Sequence, residues 1–257
     1  MFLTSVVIVL REVLEAVLLL SIFFALSQTL HLNKRWLYSA IIAGALSSVV
    51  YGMNIGTVSN ALDGAGQEIF NACLQFTVTL LIVVVIVFQY RAESYEHLMC
   101  ACLTSTTLLA ITRESSEIYL YLSAFVHNPE YMQVVMAGTL TGAGIGFSIG
   151  ALFYYLIVAI NRRHMMLGVS ILLSLVGAGM VSKATNLLTQ IDWLPAQAPL
   201  INTEGLIPEA SVTGQLLYAL VGYESTPSAL QLIVHIGSLC IMLTLSIVLS
   251  RLNKGSL

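Results

Sequence analysis

The sequence predicts an all-α, polytopic membrane protein. Of its 257 residues, 58% are hydrophobic and only 9% are charged. Its apolar runs reach the roughly 20 residues that a helix needs to cross the hydrocarbon core of a bilayer. The few charges collect at the ends of these runs and in two short motifs, so the chain offers no basic stripe for nucleic acid. The composition therefore predicts a lipid bilayer as the surroundings and no nucleic-acid partner.

Seven transmembrane helices are predicted, and the whole chain, 1–257, is expected to form a single transmembrane domain. The helices are expected at about 3–28, 36–57, 68–90, 98–126, 132–160, 165–188 and 229–250. The segment 189–228 holds four prolines and four acidic residues, which indicates an ordered external loop with a short helix near Gln215–Val221. The first apolar stretch has no basic start and contains three charged residues, which argues against a cleaved signal peptide.

Lysine and arginine occupy alternate loops, and this pattern predicts the orientation of the chain. Positively charged short loops are retained in the cytoplasm. The N-terminus is therefore expected outside and the C-terminus in the cytoplasm, in a multi-pass protein of the inner (plasma) membrane. The basic residues that carry this prediction are Lys34, Arg35, Arg91, Arg162, Arg163, Arg251 and Lys254.

The first six spans are predicted to form two copies of one unit with inverted topology. The string Ala43-Gly44-Ala45-Leu46 in the second span aligns with Ala137-Gly138-Thr139-Leu140 in the fifth. Repeat one is expected over about 1–92 and repeat two over about 97–188, followed by one extra C-terminal helix. Spans 3 and 6 show no convincing match. A 3+3 inverted repeat of this kind is common in transporters and places the substrate site near the midplane, between the repeats.

Two copies of the string R-E-x-x-E lie inside apolar segments, 102 residues apart at 11–15 and 113–117. Each ionisable group at the centre of a membrane helix costs about 2.5–3.5 kcal/mol, so six of them indicate a functional site. At 100° per residue, the three charged side chains of each copy share one sector of their helix. If the two helices face each other, four carboxylates and two guanidinium groups converge.

This convergence leaves an excess of two negative charges, which would raise carboxylate pKa values unless a cation or protons intervene. Oxygen ligands suit hard cations such as ferric iron, Mn²⁺, Mg²⁺ or Ca²⁺, while the lack of a nearby His or Cys cluster argues against Zn²⁺ and Cu⁺. Alternatively, each arginine pairs with its own glutamate at i+4 and the motifs only pin helices together. That interpretation leaves a second carboxylate in each motif without a counter-charge. The groups concerned are Arg11, Glu12, Glu15, Arg113, Glu114 and Glu117.

At these motifs the chain resembles the high-affinity iron permeases, the oxidase-dependent iron transporters of fungi and their bacterial relatives. That family carries R-E-G-x-E in its first and fourth helices, seven spans and an outside N-terminus, and the resemblance extends to the stretch 211–223 followed by Pro227-Ser228. Two departures are Val13 and Ser115, which stand where the family motif has glycine. A third is Asn71, where the family tends to place a second acid after Glu68.

The resemblance implies that iron is the transported substrate, either ferric after oxidation or ferrous. It further implies an external oxidase or iron-delivery protein as partner and no tightly bound organic cofactor. The implied metal ligands are Glu12, Glu15, Glu114 and Glu117, with Arg11 and Arg113 as supporting charges.

Several other residues have two interpretations. Asp63 and Glu68, near the outer end of the third span, either attract the incoming cation or only complement the dipole of a helix N-terminus. Lys183 is expected to snorkel to the outer membrane interface rather than line a pore. His235 is expected to be a hydrogen-bonded packing residue rather than a ligand or proton relay. Trp36 and Trp193 are expected to anchor the chain at the interface.

Three alternatives to an iron permease stay open. A permease for another metal cation, such as lead or manganese, would use the same carboxylates. A non-transporting membrane scaffold or sensor would also accommodate the motifs. An intramembrane hydrolase is disfavoured, because the sequence has no H-E-x-x-H string and no nucleophile paired with a base, so the protein is not expected to be an enzyme. The pattern does not indicate an oligomeric state.

Overall fold

The protein is almost entirely helical in the computed structural model, which describes residues 1–91, 94–126 and 128–253. An apolar chain in lipid has no water to satisfy its backbone amides, so each span closes its hydrogen bonds within a helix. Lys254, used above for the orientation, lies outside the described residues. The helices are α1 Phe2–Thr29, α2 Arg35–Asn60, α3 Gly66–Phe88, α4 Glu96–Ser123, α5 Pro129–Val158, α6 Arg162–Gln190, α7 Val212–Val221 and α8 Ala229–Asn253, with 3₁₀ turns at Leu62–Gly64 and Gln89–Arg91.

Each predicted span contains one helix, and the predicted short helix corresponds to α7, which begins a few residues earlier than expected. Five of the helices, α2, α3, α5, α6 and α8, are long and apolar enough to cross a membrane. The all-helical, multi-pass membrane character of the chain is thereby confirmed. The helices α1 and α4, which carry the two charged motifs, are of similar length but are not among these five. The count of seven crossings and the inverted repeat stay predictions.

Helices α1, α3, α4 and α6 form the centre of the bundle, and the larger core cluster consists mainly of their side chains. Around this centre, α5 packs mainly on α1, α2 packs mainly on α4, and α8 packs mainly on α6. The outer helices expose large apolar side chains, such as Leu46 of α2, Leu140 of α5 and Ile241 of α8. Such surfaces suit contact with lipid. The charged motifs are therefore on the enclosed helices, where neighbouring helices can supply partners.

A row of glycines on α5 lets this helix approach α1 closely. A Cβ added to Gly142 would lie 2.5 Å from the carbonyl oxygen of Val6, and one added to Gly146 would lie 2.7 Å from Cγ1 of Val13. Small residues at helix interfaces commonly permit such packing in membranes. Val13 is the residue that replaces the family glycine, and the space for its side chain is provided by Gly146. This departure from the family motif is thus accommodated by the facing helix.

The loop before α8 folds back onto the bundle through α7. Ser211 caps the N-terminus of α7 by accepting a hydrogen bond from the backbone N–H of Gly214. Gly222 ends the helix in the left-handed conformation, with φ of 66°. A Cβ added to Gly179 of α6 would lie 2.9 Å from the Cα of Gly222. Glycine at both positions allows this contact between α6 and the end of α7. The contact fixes the position of Tyr218 on α7.

The prediction that Trp36 anchors the chain at the membrane interface is wrong. Its side chain is buried, and its indole N–H donates a hydrogen bond of 2.8 Å to the hydroxyl of Ser27 on α1. A tryptophan with a satisfied N–H is stable inside a core, where its large apolar ring contributes to packing. Trp193, in the loop after α6, is exposed.

Candidate metal centre

The two motifs meet between α1 and α4, near the middle of α1 and in the second half of α4. On α1, the carboxylates of Glu12 and Glu15 are buried. On α4, the carboxylate of Glu114 is buried and that of Glu117 is half-buried. Ion pairs connect all six charged motif residues in one network. The structure therefore brings together the six charged residues of the two motifs.

Arg113 is the main link between the motifs. Its Nη1 lies 2.6 Å from Oε1 of Glu114 and 3.2 Å from Oε2 of Glu15, and its Nη2 lies 2.9 Å from Oε1 of Glu117. A planar guanidinium with several fixed N–H groups can serve more than one carboxylate at once, which an ammonium does less well. One buried side chain thus holds three of the four motif glutamates.

Arg11 has a different set of partners. Its Nε donates to Oε1 of Glu12 at 2.8 Å, and its Nη2 lies 4.0 Å from Oε2 of Glu117. No ion pair with Glu15, four residues further along the same helix, is formed. The alternative in which each arginine pairs with its own glutamate at i+4 therefore describes Arg113 and Glu117 only. The side chain of Arg11 is 36% exposed, against 9% for Arg113.

Three carboxylates remain grouped on one side of this network. Glu12, Glu114 and Glu117 each offer an oxygen, and these three oxygens lie within 4.8 Å of one another. The Oε2 atoms of Glu12 and Glu114 are buried and have no hydrogen-bond donor. Buried carboxylate oxygens without a donor are unfavourable unless a proton or a cation neutralises them. The arrangement can therefore hold a cation through oxygen ligands from both helices.

Glu15 lies outside this group and forms an ion pair with a lysine that was expected at the membrane interface. Nζ of Lys183 on α6 lies 2.8 Å from Oε1 of Glu15, and the lysine side chain is buried. The expectation that Lys183 snorkels to the membrane interface is wrong. A signal was present in the sequence, since this is a single charge within a long apolar stretch of α6. Its partner, however, depends on how α6 packs against α1.

Tyr218 of α7 lies beside two of the basic side chains of the centre, Lys183 and Arg11. The ring centroid is 3.8 Å from Nζ of Lys183 and 5.3 Å from Cζ of Arg11. A cation over an aromatic face is attracted by the ring quadrupole, more strongly where water is excluded. The family resemblance included this stretch of sequence, but sequence reasoning assigned no role to Tyr218.

A polar cavity of about 420 Å³ adjoins this side of the centre. Arg11 and Tyr218 line it together with loop residues that include Glu209 and Glu224. Burial raises the pKa of the Glu224 carboxyl, an effect that a hydrogen bond from Gln231 and the charge of Lys183 oppose. The cavity thus combines acidic and basic side chains.

The two residues predicted to attract an incoming cation lie apart from the three-carboxylate group. Asp63 is exposed in the 3₁₀ turn between α2 and α3. Glu68 is half-buried, and its Oε2 is buried without a hydrogen-bond donor. The dipole of α3 favours an acid at this position.

Beyond Glu68, α3 carries buried amides that sequence reasoning did not connect. Asn71 and Gln75 follow at helical spacing, and both have side-chain atoms without hydrogen-bond partners. Tyr51 of α2 has an unpartnered hydroxyl and interacts electrostatically with both Glu68 and Glu117. The sequence signal was the spacing of polar residues at 68, 71 and 75, which marks one face of the helix.

His235 takes no part in the site. It is half-buried on α8 and is hydrogen-bonded to the backbone at Ala178 on α6. The prediction of a hydrogen-bonded packing residue is confirmed.

Comparison with known proteins identifies the family of the chain. No curated protein and no solved structure gives a significant match. The family model of the iron permease FTR1 family matches residues 1–101 and 97–253, which together cover nearly the whole sequence. This is a family of transporters rather than enzymes, and the matched residues include both charged motifs. The chain belongs to the iron permease FTR1 family.

Proposed function

We propose that the protein moves iron ions across the cytoplasmic membrane through the site that the two R-E-x-x-E motifs build between α1 and α4. Membership of the iron permease family supports iron as the substrate. The observation that carries the mechanism is the grouping of Glu12, Glu114 and Glu117, whose carboxylate oxygens lie within 4.8 Å of one another.

The chemistry of this group favours a hard cation. Carboxylate oxygens bind ferric and ferrous iron, Mn²⁺ and similar ions well, whereas soft ions prefer sulfur or imidazole. The two buried Oε2 atoms that lack donors, on Glu12 and Glu114, are free to act as ligands. A cation between them would remove the cost of burying two unpaired carboxylate oxygens.

The charge of the whole centre also suits a transported cation. Four motif carboxylates face three basic groups, Arg11, Arg113 and Lys183. One negative charge is left, which attracts a cation without binding it as tightly as four free carboxylates would. A transport site requires such a balance, since an ion must leave as readily as it enters.

The proposed architecture is a 3+3 inverted repeat plus α8, with the N-terminus outside and the C-terminus in the cytoplasm. The helix contacts support the repeat, because exchanging α1, α2, α3 with α4, α5, α6 turns the pair α1–α5 into α4–α2, and both pairs are extensive. Gly44 and Gly52 of α2 face Ile111 and Tyr119 of α4. Gly138 and Gly146, which align with them in the sequence, face α1 in the same way.

The cation is proposed to reach the centre along α3 rather than through the cavity beside Arg11. Glu68, with the unpartnered side chains of Asn71 and Gln75 behind it, offers oxygens to a hydrated ion. The buried hydroxyl of Tyr51 on α2, which has no hydrogen-bond partner, is a further oxygen that we propose for this route. The cavity route leads past the guanidinium of Arg11, which repels cations. Asp63 adds negative charge at the outer end, where an external oxidase or iron-delivery protein would supply the ion.

Uptake by purified protein in proteoliposomes tests the proposal directly. Wild-type protein is expected to accumulate Fe²⁺ or Fe³⁺ in preference to Mn²⁺ and Pb²⁺, measured with each labelled ion separately. Glu117→Gln is expected to abolish most of this uptake, because it removes one of the three grouped carboxylates. Glu130→Gln, at an exposed glutamate of α5, serves as the matched control and should transport like wild type.

Two outcomes would contradict the proposal. Preferential uptake of Mn²⁺ or Pb²⁺ would indicate a permease for another cation. Indifference of the wild-type protein to all four ions, in uptake and in binding, would favour a scaffold or sensor.

A further inference from the structure

Glu15 differs from Glu12 and Glu114 in that a side-chain cation lies within 3.2 Å of each of its carboxylate oxygens. Oε2 lies 3.2 Å from Nη1 of Arg113, and Oε1 lies 2.8 Å from Nζ of Lys183. Glu117 also has two cationic partners, but the second of them, Nη2 of Arg11, is 4.0 Å from its Oε2. Glu12 and Glu114 each keep one oxygen without a donor. A carboxylate with two cationic partners has little negative potential left to offer to a metal ion.

The ammonium of Lys183 has a well-defined position. Its side chain is only 6% exposed, and its Nζ lies between the carboxylate of Glu15 and the ring of Tyr218. The end of α7 that carries Tyr218 is fixed to α6 by the close approach of Gly179 and Gly222. The lysine therefore contacts the centre from α6, a helix that carries neither motif.

We propose that Lys183 sets the affinity of the site for its ion, because its ammonium keeps Glu15 out of the set of ion ligands. The transported cation then binds to Glu12, Glu114 and Glu117, while Glu15 serves to hold Arg113 and Lys183. This inference rests on the proposed function, because it concerns the strength with which that site binds its ion.

The physical reason is the balance between binding and release. A free Glu15 would add one negative charge a few ångströms from the ion, which would strengthen binding and slow release. The ammonium of Lys183 neutralises the carboxylate of Glu15 whether or not a transported ion is bound. The ion thus meets three carboxylates instead of four.

The first test replaces Lys183 by methionine, an unbranched side chain of similar length without charge. In Fe²⁺ uptake by proteoliposomes, Lys183→Met is expected to lower the half-saturation concentration about tenfold and to lower the maximal rate by a similar factor. Mn²⁺ binding to the purified protein should tighten in parallel. Lys183→Arg keeps the charge and is the charge-matched comparison, with both kinetic values expected closer to those of wild type than to those of Lys183→Met.

A second pair of variants keeps the inference testable if Lys183→Met does not fold. Glu15→Gln alone leaves the ammonium without its carboxylate, so the half-saturation concentration should rise about tenfold. The double variant Glu15→Gln with Lys183→Met removes both charges and should return towards wild-type values. A purely structural lysine would predict the reverse, with the double variant no better than either single change.

The outcomes separate this inference from the proposed function. Absence of metal uptake by the wild-type protein contradicts the proposed function itself. If the wild type transports iron, an unchanged or higher half-saturation concentration in folded Lys183→Met overturns the role of Lys183. Failure of the double variant to recover from the effect of Glu15→Gln overturns it as well.

Discussion

Arg113 on α4 and Glu15 on α1 form an ion pair of 3.2 Å, which joins the two motifs although the residues are 98 positions apart in the chain. The same guanidinium holds Glu114 and Glu117 of its own helix. Carboxylates from α1 and α4 therefore keep a fixed spacing only while these two helices stay in register. A relative shift of α1 and α4 would change the ligand set, which offers a way for a transport cycle to release the ion.

The three grouped glutamates should be required individually. Glu12→Gln, Glu114→Gln and Glu117→Gln are each expected to reduce iron uptake at least tenfold, because an amide carries no charge and offers only one oxygen. Uptake in proteoliposomes, normalised to the amount of folded protein, measures the effect. Normal uptake by any two of these variants would contradict a shared site.

The two arginines should differ in their effect on stability. Arg113→Ala leaves the buried carboxylate of Glu114 without its cationic partner and takes one partner each from Glu15 and Glu117, and breaking such a network typically costs about 3–5 kcal/mol. Arg11→Ala should cost less, because its side chain is 36% exposed and has fewer close partners. Thermal unfolding in detergent measures the difference, with Arg113→Lys expected between Arg113→Ala and wild type. Equal stability of the two alanine variants would contradict the central position of Arg113.

Sequence patterns predicted the helices and the charged motifs because lipid leaves strong signals in a sequence. Long apolar runs indicate membrane-spanning helices, and six ionisable groups within such runs indicate a functional site. The family resemblance added the ion and the pairing of the two motifs.

The partners of single residues could not be predicted, because they depend on how one helix packs against another. Lys183 has the length and position of a snorkelling lysine, and only the packing of α6 places it against Glu15. Trp36 has the composition of an interface anchor, but Ser27 on the neighbouring helix gives its N–H a buried partner. In both cases the local sequence is compatible with two environments, and tertiary contacts choose between them.

Packing of α5 on α1 should depend on the glycine at position 142 and not on the glycine at position 144. Gly142→Ala would place a Cβ 2.5 Å from the backbone oxygen of Val6, whereas nothing lies within 4 Å of a Cβ at Gly144. Overpacking of this kind costs about 1–3 kcal/mol, so Gly142→Ala should lower the midpoint of thermal unfolding and reduce uptake. Gly144→Ala is the control and should be neutral or slightly stabilising, since alanine favours helix. Equal behaviour of the two variants would contradict the close helix contact.

The proposed orientation can be tested without metal chemistry, through four exposed asparagines in the loops. On a background with all four native cysteines replaced by serine, a single cysteine at Asn128 or Asn202 is expected to react with an impermeant thiol reagent added outside intact cells. A cysteine at Asn33 or Asn161 should react only after the membrane is opened, because the basic residues near these two loops are retained in the cytoplasm. All four side chains are exposed in the structure, so differences in reactivity report the side of the membrane rather than burial. Labelling at Asn33 from outside would contradict the proposed orientation. Labelling of both Asn33 and Asn128 from outside would mean that α1 and α4 run parallel, which would contradict the antiparallel arrangement on which the shared site depends.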